Sequence, residues 1–355
     1  VDNAIAAYGQ AIKLDPRNAT LYSSRSHAYY EKRDYEHAIQ DLTQAIRVNP
    51  RYTLAIYNRA MAYRAKGEPD RAVPDFDQVL KLTPNDAFAY YNRGLAYRDM
   101  RDYDRAIRDF DQAVKINASF TAAMNDRGLA YVAKGETDHA IEDFDRVILI
   151  NPKDALAFNN RGLAYRNKGE TDAAINNYDQ AILINAEFAL AYYNRGNAYY
   201  DKRDHDRAIQ DYNHALKINP NYALAYYDRG VVYYDRHEFD KAVTDLGKAI
   251  ELDPRFAIAF NSRGRAYLAQ NDATRALADF SEAIRLNGKL AAAYCNRGFL
   301  HQAAGRIDEA IEDFGRAIAS DPSEKTFLIA RARALAARGA HAEAERDYTA
   351  ALSLD

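Results

Sequence analysis

Apolar and small residues fall at helical spacing in two consecutive segments of about a dozen residues, separated by a short polar break. The stretch 189–222 displays the pattern most clearly. Tyr192, Gly196 and Tyr199 stand at i, i+4 and i+7, one face of a helix. Lys202-Arg203-Asp204 interrupts that face, and Ala208, Ile209, Tyr212, Ala215 and Leu216 then resume a helical period. Asp204 is placed to cap the second helix, and Asp206 in its first turn suits the positive end of the helix dipole. Lys217 suits the opposite pole, and Asn219-Pro220 stops the helix because proline cannot continue it. The spacing therefore predicts two antiparallel helices joined by a tight turn.

The same pattern returns every 34 residues without insertion or deletion, and one arginine marks all ten copies, from Arg25 and Arg59 through Arg195 to Arg331. A fixed period of this length signals a stack of identical supersecondary units, each burying its apolar face against the next. The fold class expected is all-α, a solenoid of about ten helix-turn-helix repeats starting at 19, 53, 87, 121, 155, 189, 223, 257, 291 and 325. Residues 1–18, with Ala4, Tyr8, Ala11 and Ile12 before Asp15-Pro16, read as the second helix of a truncated repeat; residues 19–355 read as one continuous solenoid. Because Val1 lies inside a repeat and the last unit stops short, the stretch is expected to belong to a longer protein.

Small residues mark close approaches. Alanine recurs in every second helix, as at Ala38, Ala208 and Ala344, and glycine in seven first helices from Gly94 to Gly298. Glycine inside a helix costs about 1 kcal/mol relative to alanine, so tight packing is the expected compensation. The turn holds Gly67, Gly135, Gly169, Gly305 and Gly339, but Arg33, Arg101, Arg203, His237 and Asn271 in the other repeats, which implies a strained left-handed backbone there.

Tyr192, Gly196, Tyr199, Ala208, Tyr212 and Pro220 resemble the tetratricopeptide repeat pattern of Trp, Gly, Tyr, Ala, Phe and Pro at matching offsets. Two departures are visible: Tyr, Phe or Ile replaces the Trp, and arginine replaces the Leu before the glycine. The resemblance implies a right-handed superhelix of more than one turn, with first helices lining a concave groove.

The arginine column admits two readings, a groove for anions or phosphopeptides and a structural pairing. Pairing has the better support. An aspartate stands sixteen residues after nine of the ten arginines, and Asn177 takes its place after Arg161. Sixteen residues, across a turn, return the chain to the same level of a helical hairpin, and neither charge could be left alone in a dry interface.

Beside the core face of each first helix runs a second stripe, exemplified by Leu190, Tyr193, Asn194 and Asn197. With 28% of residues charged, its forty positions would carry about eleven charges if it were ordinary surface; it carries four, Asp126, Asp228, Arg265 and Arg333. The rest is aliphatic (Leu54, Phe88, Leu156, Leu190, Leu224, Ile258), tyrosine (Tyr57, Tyr91, Tyr193, Tyr227) or asparagine (Asn58, Asn92, Asn160, Asn194, Asn296). Side-chain amides can pair with a peptide backbone of any sequence, and tyrosine adds rigid contact area with a polar tip. The alternative is that the stripe packs adjacent first helices together, a task expected above all of the leucines. The asparagines, with Asp126 and Asp228 at the same level, are the expected contacts to peptide, and the tyrosines join them. The asparagine column resembles the ladder in the superhelical repeats of O-linked N-acetylglucosamine transferases. The Lys/Asn/Arg clamp of repeats that bind acidic chaperone tails is absent, because Leu54, Phe88, Tyr57 and Tyr91 occupy its lysine sites. Toward the helix ends, Arg64, Arg98 and Arg166 give way to Tyr200 and Tyr234 beside Asp201 and Asp235, a change that would suit a partner acidic at one end and basic at the other.

Charge and chemistry narrow the rest. Lys plus Arg number 48 and Asp plus Glu 51, a balance that lacks the basic stripe nucleic acid requires. The single cysteine, Cys295, excludes an internal disulfide framework, and no apolar run approaches the roughly 20 residues of a membrane span. Cytoplasm is the favoured compartment. The eight histidines share no ligand spacing and no phosphate-binding glycine loop is present, so neither metal, cofactor nor catalysis is expected. The function expected is a scaffold holding an extended protein segment in its groove. The alternatives are the substrate-recruiting or regulatory arm of a larger enzyme, and a module that associates end to end.

Overall fold

Four of the hairpin turns, at Asp34, Asp102, Asp204 and Asp272, are closed by one residue acting twice. At Asp204 the main-chain N–H donates to the Tyr199 carbonyl at 2.9 Å, closing the first helix, while the Arg203 N–H donates to Tyr200 at 2.8 Å. The Asp204 carboxylate then accepts the Arg207 N–H at 3.1 Å and opens the second helix. These paired closing bonds require a left-handed residue before the cap. Glycine supplies it at Gly67 (φ 86°), whereas Arg33, Arg101, Arg203, His237 and Asn271 adopt φ of 60–62° against the preference of an L-residue.

The computed structural model describes residues Val1–Leu354, and among them the secondary structure is entirely helical. Residues 1–185 and 186–355 form two compact units. In the first, α1 (Asp2–Leu14) precedes five hairpins: α2 (Ala19–Glu31) with α3 (Tyr35–Val48), α4 (Thr53–Lys66) with α5 (Pro69–Leu82), α6 (Ala87–Asp99) with α7 (Tyr103–Ile116), α8 (Thr121–Lys134) with α9 (Thr137–Ile150), and α10 (Ala155–Asn167) with α11 (Thr171–Ile184). In the second, the hairpins are α12 (Ala189–Asp201) with α13 (His205–Ile218), α14 (Ala223–Asp235) with α15 (Phe239–Leu252), α16 (Ala257–Ala269) with α17 (Ala273–Leu286), α18 (Ala291–Ala303) with α19 (Ile307–Ser320), and α20 (Lys325–Ala337) with α21 (His341–Leu352). Within each unit the two helices of a hairpin pack on one another, and the second helix packs on the first helix of the hairpin that follows it in that unit, an α-solenoid.

The small-residue columns are where the mates touch. A Cβ at Gly196 would lie 2.8 Å from the Tyr212 ring, and one at Gly94 would lie 2.7 Å from Phe110, so only glycine fits beneath those rings. Phe76, Phe110, Phe144, Tyr178, Tyr212, Phe280 and Phe314, one per hairpin, are fully buried, as is each recurring alanine of the second helix from Ala38 to Ala310.

Each arginine of the column pairs with the residue sixteen positions on, as the spacing predicts. Arg195 donates from Nε and Nη2 to the two oxygens of Asp211 at 2.8 and 2.7 Å, and Arg127 does the same to Asp143 at 2.8 and 2.5 Å. Arg161 donates to Asn177 at 2.7 Å. The sequence reading did not anticipate a second bond in the opposite direction. The remaining guanidinium nitrogen reaches sixteen residues back, to the second helix of the preceding hairpin: Arg93 to Asp77 at 2.6 Å, Arg127 to Asp111 at 3.1 Å, Arg59 to Thr43 at 3.3 Å, and Arg161 to Asp145. The arginine therefore ties three helices together, using the planar fork that lysine lacks. Gly9, Gly247 and Gly315 occupy that second position before Arg25, Arg263 and Arg331, and offer no side-chain acceptor.

Candidate peptide-binding face

Turning by about 100° per residue, the first helix presents its second and ninth residues outward, with the fifth and sixth about 50° to either side of that line. The structure follows this wheel. Leu54, Phe88 and Leu156 in the first unit, and Leu190, Leu224 and Ile258 in the second, are the outward residues; Phe88 is 60% exposed and Leu54 54%. Leu190 stands lowest of the six at 37%. Large apolar side chains left this open recur in six of the ten hairpins, with Ala122 between Phe88 and Leu156.

The fifth and sixth residues turn sideways toward neighbouring first helices and form rungs between them. Tyr91 donates its hydroxyl to Asp126 at 2.7 Å, and Tyr193 to Asp228 at 2.6 Å. Asn92 donates to the Tyr57 hydroxyl at 2.7 Å, and Asn296 to Asn261 at 2.9 Å. All four bonds join residues thirty-five apart, a tyrosine or asparagine of one repeat to the next residue of the motif one repeat later. The rings serve the same joint: Tyr91 lies 5.0 Å from Phe120, Tyr193 4.9 Å from Tyr222, and Tyr227 5.0 Å from Phe256, each partner preceding the next first helix. Burial first, then the neighbouring carboxylates, hold the Tyr91 and Tyr193 phenols well above their usual range, so both stay protonated and donate.

This exchanges the parts assigned to the columns from sequence. Asn92, Asn160 and Asn194 are buried, whereas Asn58, Asn296, Tyr57, Tyr91, Tyr193, Tyr227, Asp126 and Asp228 are half-buried. The leucine column, expected to do the packing, is the exposed one. The physical reason is direction: an asparagine pointing sideways finds a hydrogen-bond partner between helices, while the outward leucine is covered only in part. The helix-end charges are also engaged. Arg64 donates to Asp99 at 2.6 Å, Arg98 to Asp126, and Tyr200 to Asp235 at 2.7 Å. A charge gradient along the face is thereby muted.

Other chemistry is sparse. Cys295 is buried, and burial pushes its thiol up to about 11, so it is not a thiolate at neutral pH. Among the described residues no three His, Cys, Asp or Glu side chains converge to hold a metal, and no helix is long and apolar enough to cross a membrane.

A row of stacked helical hairpins with an uncommitted apolar face defines a helical-repeat protein. The sequence assigns it further: profiles described as tetratricopeptide repeat match residues 24–87, 227–291 and 295–355, and separately 87–120 and 189–222. A third profile, described as TPR repeat, matches 1–32, 128–169 and 162–203. The chain belongs to the tetratricopeptide repeat family. Solved structures agree on the fold. Yeast Tom70 matches with a TM-score of 0.54 at 18% identity, over 100% of this chain and 88% of that one. A tetratricopeptide repeat protein from Parabacteroides merdae ATCC 43184 matches with a TM-score of 0.54 at 21% identity, over 70% of this chain and 98% of its own. Cut9, solved in the APC/C hetero-tetramer Cut9-Hcn1, matches with a TM-score of 0.51 at 14% identity, over 99% and 90%.

Proposed function

We propose that the first-helix face is a protein-binding surface that holds an extended segment of a partner, with the outward leucines and Phe88 as its principal contacts. The observation that carries this reading is the row Leu54, Phe88 and Leu156, repeated as Leu190, Leu224 and Ile258, exposed at the same position of six hairpins. Packed helices stand about 8–10 Å apart and an extended chain advances about 3.3 Å per residue. A bound strand thus meets one such side chain roughly every third residue, and the preferred partner carries an apolar residue at that interval. The asparagine and tyrosine rungs fix the spacing of the row, and the half-buried amides of Asn58 and Asn296 are the ones placed to reach a bound backbone. The role is one of binding, not of catalysis.

The test is capture of peptides from a random-sequence display library by the native chain, by the triple variant Leu54→Ser/Phe88→Ser/Leu156→Ser, and by Asn160→Ala. Selected sequences with apolar residues at every third position, lost by the triple variant and retained by Asn160→Ala, are expected. Undiminished capture by the triple variant, with folding intact by circular dichroism, overturns the reading.

A further inference from the structure

The first hairpin departs from its neighbours at two positions that meet in space. Ser23 stands where the following repeats have Tyr57 and Tyr91, and Leu42 stands where they have Phe76 and Phe110. In those repeats the two columns face one another, with ring centroids 5.7 Å apart for Tyr57 and Phe76 and 5.9 Å apart for Tyr91 and Phe110. Both rings are missing from the hairpin of α2 and α3.

What remains is a pocket of about 230 Å³. Tyr30, Leu42, Tyr57 and Met61 wall it, while Asn58 and the exposed His27 stand with them around its opening on the first-helix face. A cavity of about 150 Å³ lined by apolar residues already suffices to bind benzene. The Ser26 hydroxyl beneath is committed to the Ser23 carbonyl at 2.6 Å.

The polar group at the pocket is also missing something definite. One repeat later, Asn92 donates its amide to the Tyr57 hydroxyl at 2.7 Å. Asn58 is the counterpart of Asn92, and the residue thirty-five before it is Ser23, too short to supply a phenol. Asn58 is half-buried, and its side-chain amide has no hydrogen bond to any described residue. The pocket thus lacks a phenol ring in its volume and a phenol oxygen at its amide, the two halves of one side chain.

We propose that this pocket receives a tyrosine side chain from the bound partner segment, its ring lying between Leu42 and Met61 and its hydroxyl accepting from Asn58 as Tyr57 accepts from Asn92. The inference rests on the first-helix face being the binding surface, and names one residue that the bound segment must carry. A tyrosine placed there continues, in trans, the ladder that Tyr57 and Tyr91 build in cis.

The pocket can be tested without knowing the partner, using p-cresol as the tyrosine side chain and toluene as that of phenylalanine. The chain has three methionines, Met61, Met100 and Met124, so methyl-labelled methionine gives one reporter in the pocket and two controls. Saturable movement of the Met61 signal by p-cresol, with the other two unmoved, is expected. Asn58→Ala weakens p-cresol about fivefold, the worth of one neutral hydrogen bond, and leaves toluene unchanged. Ser23→Tyr fills the pocket from within and abolishes the p-cresol response; Leu42→Phe, a milder filling, does the same should that variant fold poorly. A Met61 signal indifferent to p-cresol overturns the proposal, and equal affinity for toluene and p-cresol overturns the tyrosine assignment. Neither result depends on the Leu54/Phe88/Leu156 variant, so failure of the pocket and failure of the face are read separately.

Discussion

Removing Asp279 isolates the energetic role of the arginine column, because its arginine has no second acidic partner. Arg263 donates from Nε and Nη2 to the Asp279 carboxylate, both at 2.8 Å. Asp279 is 6% exposed and the Arg263 side chain 21%. The third guanidinium nitrogen faces Gly247, which has no side chain to accept it. After Asp279→Ala the cation keeps only the ring faces of Phe260 and Tyr267, 5.5 and 5.7 Å away. Breaking a buried pair costs roughly 3–5 kcal/mol, against at most about 1 kcal/mol for a surface pair. The residual exposure of Arg263 places this variant near the lower end, about 3 kcal/mol. Asp109→Ala is the control, since Arg93 retains Asp77 at 2.6 Å on the preceding second helix, and its loss should be smaller. Long repeat arrays do not unfold as one cooperative unit, so the readout is amide hydrogen exchange resolved by helix. Protection in α16 and α17 should fall by a factor matching about 3 kcal/mol, and Arg263→Met combined with Asp279→Leu should restore most of it. Equal losses for the two aspartates, or a loss at Asp279 no greater than that of a surface pair, would refute the argument.

Two further expectations concern the hairpins themselves. In Gly196→Ala the added methyl meets the Tyr212 ring at 2.8 Å, so overpacking should cost about 1–3 kcal/mol, measurable as faster exchange in α12 and α13; Gly196→Ala with Tyr212→Leu should recover part of it. The capping carboxyls of Asp102, Asp204 and Asp272 lie below the usual carboxylate range, foremost because the main-chain N–H groups of Arg105, Arg207 and Arg275 bond their charged forms. A folded-state pKa below the unfolded one means stability that is present above about pH 4 and lost as pH falls through the folded value. Replacing all three by asparagine, which caps nearly as well, should leave melting at pH 7 little changed and flatten its acid decline; an unaltered pH profile would count against the caps.

The sequence by itself determined the repeat, the hairpin and the ion pair. A period of 34 residues holding two helical segments specifies stacked hairpins, and the Arg195–Asp211 bond follows from a spacing of sixteen across a turn. The strain at Arg203 was equally legible, because a two-residue turn needs one left-handed residue whatever its side chain. Tertiary structure decided which stripe residues are left exposed and which face the next helix. Leu190 and Asn194 are one turn apart on the same helix, and periodicity within one helix cannot say how far the adjacent first helix stands. Only the stacking shows that the Asn92 amide is consumed in a rung by Tyr57, while the Asn58 amide, opposite the short Ser23, is left open. The backward reach of Arg93 to Asp77 belongs to the same class. The polar column containing Thr43, Asp77, Asp111 and Asp145 was visible in the sequence, but only the stacking of hairpins brings it within a guanidinium's length. Local physics fixes each helix pair; the gaps between pairs, where the proposed binding chemistry lies, exist only once the pairs are stacked.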